Sequence, residues 1–98
     1  MKTCYVIPEV RAIADLVPPG ELTNHWTITR INVPVRARGK GFGADLLEQI
    51  TADADAEGES LALEALASGG LDHDQLVSWY LRAGFRRTSG GYFLRKAQ

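Results

Sequence analysis

The clearest pattern along the chain is helical and covers residues 42–57. Phe42, Leu46, Leu47, Ile50 and Ala54 recur at the spacing of one helix face, while Asp45, Glu48, Gln49, Asp53 and Glu57 lie mostly elsewhere. Gly58 supplies a natural stop. A second helix is expected over residues 72–83, with Leu76, Trp79, Tyr80 and Ala83 as its apolar stripe. Asp72 and Gln75 have the spacing of a capping box, and Gly84-Phe85 fits a Schellman ending with its hydrophobic contact.

The segments between these helices read as strands. Residues 61–67 form a short apolar run suited to a buried strand, broken by one charge, Glu64. Residues 22–33 alternate and are rich in β-branched side chains, and Pro34 ends the run because it cannot donate to a ladder. Residues 3–7 suit a short strand. Residues 9–17 fit two readings: Val10, Ile13, Ala14 and Val17 have helical spacing, and the β-branched content also permits a strand. Residues 85–96 suggest a closing hairpin that turns at Ser89-Gly90-Gly91. The order is strand, glycine loop, helix, strand, helix, strand pair. It implies an α/β (α+β) chain with a mixed sheet, at least one parallel pair, and one domain over residues 1–98.

Composition narrows the function classes. The 98 residues are 45% hydrophobic and 23% charged, a globular balance. Eleven basic and twelve acidic residues leave a net charge of −1, so no nucleic-acid footprint is expected from the chain as a whole. The single cysteine, Cys4, excludes an intrachain disulfide and a cysteine zinc cage, and is expected as a small buried hydrophobe. His25 and His73 bring no further ligands with them, so no metal site is expected. No apolar stretch has the length of a membrane span, so no membrane partner is expected and a cytoplasmic setting is the default. The acidic residues Asp53, Asp55, Glu57 and Glu59 read as a solvated helix end. Arg82, Arg86 and Arg87 read as a solvated basic patch.

The chemistry concentrates in Arg38-Gly39-Lys40-Gly41-Phe42-Gly43, between a strand and a helix start. A helix N-terminus offers unpaired N–H groups to an anion, and glycines let a phosphate approach the backbone. Arg36, Arg38 and Lys40 add positive charge. A Walker loop is excluded because Gly41, not Ser or Thr, follows Lys40. The looser dinucleotide fingerprint is met by Gly39, Gly41 and Ala44, with Glu64 about 20 residues on, so spacing alone leaves it open. Against it, the feeding strand carries Pro34, Arg36 and Arg38, where a buried parallel strand is nearly all apolar. A plain strand-to-helix turn with solvated basic residues accounts for the glycines equally well.

The surrounding residues favour a different comparison. The segment from Val33 through Arg38, Gly41 and Gly43 to Leu47 resembles the acyl-CoA signature of the GNAT superfamily of N-acetyltransferases, whose core is Arg/Gln-x-x-Gly-x-Gly/Ala. Leu61-Ala62-Leu63-Glu64 resembles the family's next strand, and Tyr80-Leu81-Arg82-Ala83-Gly84-Phe85 its Tyr-x-x-x-Gly-Phe helix ending. The match covers roughly residues 26–95.

The resemblance implies transfer of an acetyl group from acetyl-CoA, as cosubstrate, to a primary amine by direct attack. It implies cofactor binding by Arg38, Gly39, Lys40, Gly41, Phe42, Gly43 and Ala44, with main-chain groups near Ile31 and Val33 pairing with the pantetheine arm. Glu64 would be the general base and Tyr80 the general acid. The residues agree: a carboxylate in an apolar strand gains basicity by desolvation, and a phenol is a suitable donor to a thiolate. Two departures stand out. The region before Trp26 is short, which leaves the N-terminal elements of the family reduced and a sheet edge open to pairing between subunits, so a homodimer is expected. The loop near Gly69-Gly70 also lacks the Asn often found there. The competing reading is a non-catalytic CoA-binding or protein-interaction module that keeps the core.

Overall fold

A computed structural model of the chain describes residues 1–20, 23–63 and 73–98. Among these residues nine elements follow one another: β1 (Cys4–Ile7), β2 (Ala12–Val17), β3 (Trp26–Asn32), a 3-10 turn (Val35–Ala37), α1 (Phe42–Glu57), β4 (Leu61–Leu63), α2 (His73–Arg82), β5 (Arg86–Arg87) and β6 (Phe93–Arg95). The six strands form one sheet in the order β1-β2-β3-β4-β6-β5. Among the described residues only the central β3–β4 pair is parallel, and α1 makes its crossover.

The ambiguous segment at residues 9–17 resolves as strand. Ala12, Ala14 and Leu16 alternate as buried residues, while Val10 and Arg11 belong to the turn from β1. The helical spacing of Val10, Ile13, Ala14 and Val17 has no structural counterpart, because pairing with β1 and β3 satisfies this backbone from both sides. Two other expectations are corrected. The strand expected from residue 22 begins at Trp26, and Cys4 is exposed rather than buried. Cys4 sits on an edge strand and alternates with Tyr5, which takes the core-facing position.

Both helices lie on one face of the sheet. Tyr5, Ala14, Leu16, Ile28, Leu61, Leu63 and Phe93 project from the strands into the same core as Leu46, Leu47, Ile50 and Ala54 of α1 and Leu76 and Tyr80 of α2. The helix α1 covers β1 to β3. On the opposite face, Val6 and Val17 are half exposed, and an exposed Arg30–Asp15 ion pair lies between β3 and β2.

The helix ends are defined by glycine. Gly58 and Gly84 both take left-handed backbone, at φ +69° and +101°. At the end of α2 the Phe85 N–H donates to the Tyr80 carbonyl and the Gly84 N–H to the Leu81 carbonyl. This is the Schellman pattern, and its hydrophobic contact is Tyr80 with Phe85, ring centroids 6.0 Å apart.

The acidic end of α1 is not simply solvated. Asp53 accepts from the Tyr5 hydroxyl at 2.6 Å, Glu57 binds the N-terminal ammonium, and Asp55 holds the Arg95 guanidinium in a two-point contact at 2.7 and 2.9 Å. Arg95 is almost wholly buried and its Nε donates to the Ala83 carbonyl at 2.8 Å. One side chain thereby joins α1, the end of α2 and β6. The Arg95 contact holds the Asp55 carboxyl at a pKa of about 2. Burial, and then the bond to Asp53, push the Tyr5 phenol up to about 12.

Candidate acyl-CoA site

The site begins at the C-terminal half of β3. The parallel register of β3 and β4 holds for Trp26, Thr27 and Ile28, paired with Leu61, Ala62 and Leu63. Arg30 to Asn32 pair with β2, Thr29 falls at an irregularity in that pairing, and the residues after Leu63 lie outside the described ones.

Past β3 the chain makes a tight reversal. Pro34 caps the 3-10 turn, and its carbonyl accepts from the Ala37 N–H at 2.8 Å. Arg38 then folds back, and its Nε donates to the Val33 carbonyl at 2.9 Å. This bond ties the loop to the strand end. It also occupies the Val33 carbonyl, so the main-chain group expected to be free there is used internally.

Gly39 and Gly41 follow at φ +80° and +87°, backbone that other residues adopt only with strain. Space is open where a Cβ would stand on either. Gly41 caps α1 with its backbone alone: its carbonyl accepts from the Asp45 N–H at 2.9 Å, and no side chain bonds the first N–H groups of the helix. A Ser, Asp or Asn cap would have occupied those donors. Gly43 has ordinary helical backbone and is small for another reason. A Cβ there would meet Trp79 Cη2 at 3.4 Å and Val33 Cγ2 at 3.7 Å, so α2 packs closely on the first turn of α1.

A cavity of about 630 Å³ lies between these parts. Of the residues expected to bind cofactor, Ile31, Val33, Arg38, Gly39, Gly41, Phe42, Gly43 and Ala44 all line it, while Lys40 is exposed and outside its wall. Tyr80 lines the same cavity from α2. Its ring stacks on Trp79 with centroids 5.2 Å apart, and burial raises its phenol above the usual value of 10. The phenol therefore stays protonated at neutral pH, the state a proton donor needs. Glu64, Ser68 and Asp72 lie outside the described residues.

Seven wall residues had no site role in the sequence reading: Asn32, Ala37, Asp74, Leu76, Ser78, Trp79 and Arg82. Arg82 read as part of a solvated patch; it is exposed and also lines this cavity, one helical turn after Ser78. The rest of that patch is structural: Arg87 lies over the Phe93 ring at 5.4 Å, and Arg86 donates to the Phe85 carbonyl at 2.9 Å. Among the described residues there is no cluster of metal-ligating side chains.

No family model matches the chain, and no curated protein matches it in sequence. Solved structures do match. The anti-CRISPR protein AcrVA5 superposes with a TM-score of 0.66 over 93% of this chain and 94% of its own, at 14% identity. The fold is GNAT-like. A chain of the AtaT–AtaR complex bound to DNA matches with a TM-score of 0.64 over 95% of this chain, at 19% identity. A chain of the KacTA–DNA complex matches with a TM-score of 0.52 over 87%, also at 19% identity. This chain spans 66% and 56% of those two. Within the GNAT-like frame, the N-terminal part is a two-stranded hairpin, and no helix precedes β3 among the described residues. Among these residues no helix is long and apolar enough to cross a membrane.

Proposed function

We propose that the chain transfers an acetyl group from acetyl-CoA to a primary amine. One observation carries this reading: a single cavity gathers the end of β3, the uncapped start of α1 and the Tyr80 phenol. These are the three groups a pantetheine thioester requires, namely main-chain partners for the arm, N–H donors for the pyrophosphate and an acid for the thiolate.

The fit with CoA rests on chemistry of the wall. The first N–H groups of α1 lack a side-chain cap, and a helix N-terminus favours an anion. Gly39 and Gly41 leave room for phosphate at the backbone. Arg38 lines the wall and holds the loop to Val33; Arg82 brings a second guanidinium from α2.

When bound, acetyl-CoA supplies an activated thioester. A C–N bond forms as the amine attacks the carbonyl carbon, and the C–S bond breaks. Glu64 takes the proton of the ammonium as general base. Tyr80 gives its proton to the departing sulfur as general acid. The backbone N–H groups beside Ile31 polarise the carbonyl as charge develops on its oxygen.

The same reading includes a cytoplasmic homodimer. The short strands β1 and β5 end the sheet and leave unpaired edges, which favour pairing with a second copy.

The test is thiol release from acetyl-CoA with a panel of primary amines. Amine-dependent release that is lost in Glu64→Gln supports the mechanism. Acetyl-CoA binding with no release for any amine supports instead a binding module that keeps the core.

A further inference from the structure

The acyl-CoA cavity carries guanidinium groups on two facing walls. Arg38 belongs to the loop wall, where its Nε donates to the Val33 carbonyl at 2.9 Å. Arg82 belongs to the wall made by α2, in the last turn of that helix, and is exposed. Ser78 and Asp74 line the same wall, one and two turns earlier.

The α2 wall grades from buried to exposed around the helix. Tyr80 is buried, Trp79 is half-buried, and Ser78 and Arg82 are exposed, and all four line the cavity. At 3.6 residues per turn, Trp79 stands about 100° from Tyr80, and Arg82 about 60° farther in the same direction. Trp79 is where α2 meets α1: its Cη2 lies 3.4 Å from where a Cβ on Gly43 would stand. One path round α2 therefore leads from the phenol, past the first turn of α1, to the guanidinium at the exposed rim.

The groups of CoA follow one another in that order. The thioester comes first, then the pyrophosphate, then a ribose with a phosphate on its 3′ oxygen. We infer that Arg82 receives this 3′-phosphate, so that the site selects the complete CoA nucleotide over donors that lack it. The inference rests on the proposed acetyl transfer and specifies its donor. The uncapped N–H groups of α1 serve the pyrophosphate, and the ribose phosphate is the anion left for the rim. A guanidinium offers a phosphate two parallel N–H donors and stays charged at any working pH. At the other end of the wall the phosphate would meet the Asp74 carboxylate, a rise of about 12 Å along the helix from Arg82.

The test uses the full chain in two arms. In the first, calorimetry compares acetyl-CoA with acetyl-3′-dephospho-CoA on the wild type, Arg82→Gln and Arg82→Lys. The wild type is expected to bind acetyl-CoA on the order of tenfold more tightly than the dephospho form. Arg82→Gln should bind the two alike, and Arg82→Lys should keep part of the preference. Folding should be intact, because the side chain is exposed. An Arg82 that only complements the dipole of α2 would shift Tm and leave the preference as it was. In the second arm, without any thioester, adenosine 3′,5′-bisphosphate and adenosine 5′-monophosphate are titrated into ¹⁵N-labelled protein. Saturable shifts at Ser78 and Arg82 are expected with the bisphosphate, weaker ones with the monophosphate, and the difference should vanish in Arg82→Gln. Equal binding of the two thioesters by the wild type, or a preference that Arg82→Gln leaves unchanged, overturns the inference. If neither thioester binds, the acetyl-transfer reading fails separately and the second arm decides alone: bisphosphate shifts absent from Ser78 and Arg82, or unaltered by Arg82→Gln, overturn the nucleotide contact.

Discussion

The Nε of Arg38 donates to the carbonyl of Val33, five residues back, and this bond holds the glycine loop against the end of β3. Arg38 is thus a positioning residue first and a source of charge second. Arg38→Ala is expected to cost about 1 kcal/mol of stability and to weaken acetyl-CoA binding. Arg38→Lys keeps the charge but not the planar N–H geometry, so it should restore little of either. Urea unfolding beside calorimetric titration of the two variants checks this. Full recovery of binding by lysine would show that charge alone matters.

The two glycines flanking Phe42 differ in kind. Gly41 stands at φ +87°, whereas Gly43 has ordinary backbone and a Trp79 carbon 3.4 Å from where a Cβ would sit. Gly41→Ala is expected to lose about 1–2 kcal/mol through backbone strain. Gly43→Ala should fall within about 1 kcal/mol of the wild type, since helix propensity offsets the close contact. Thermal melts of both variants give the comparison, and equal losses would contradict this assignment.

Asp55 makes the fold sensitive to acid. Its carboxyl is held at a pKa of about 2 by the Arg95 guanidinium, below its unfolded value. A depressed carboxylate contributes stability above the unfolded pKa and loses it as pH falls through the folded one. The loss should therefore run from about pH 4 down to about pH 2. Asp55→Asn leaves the buried Arg95 without its charge partner and is expected to cost about 2 kcal/mol at neutral pH, discounted because Asp55 itself is partly exposed. Denaturant unfolding across that pH range should give a flatter acid limb in the variant than in the wild type.

The role proposed for Tyr80 is to protonate a leaving thiolate, and its hydroxyl is the only group that Tyr80→Phe removes. The variant is expected to lose about 100-fold in kcat while KM for acetyl-CoA changes little, because the ring packing against Trp79, Phe85 and Phe93 is kept. Steady-state kinetics separates the two parameters. A raised KM with unchanged kcat would assign the phenol to binding.

Much of this architecture was legible in local patterns. The bounds of α1 could be read from the sequence because Gly41 and Gly58 bracket a clean apolar stripe, and the Gly84-Phe85 ending followed from the same logic. The cavity wall from Arg38 to Ala44 was legible except for Lys40, since a loop between strand and helix leaves few alternatives. Residues 9–17 were not, because both periodicities fit and only the pairing partners decide. The Arg95–Asp55 contact joins positions 40 residues apart, and the Arg38–Val33 bond depends on how the loop folds back. Neither leaves a mark in spacing. Arg82 is exposed as read, and its place in the cavity wall depends on packing that spacing does not record.

The most direct test of the central claim is calorimetric titration of acetyl-CoA into the wild type and into Ala44→Glu. Ala44 is exposed in the first turn of α1 and lines the cavity, so the variant places a carboxylate where pyrophosphate should sit. A glutamate near a helix N-terminus is favourable for the helix, so folding should be unharmed. The account predicts saturable binding by the wild type and a loss on the order of tenfold or more in the variant, with an unchanged or higher Tm. No binding by the wild type, or equal binding by both, would contradict an acyl-CoA site at the start of α1.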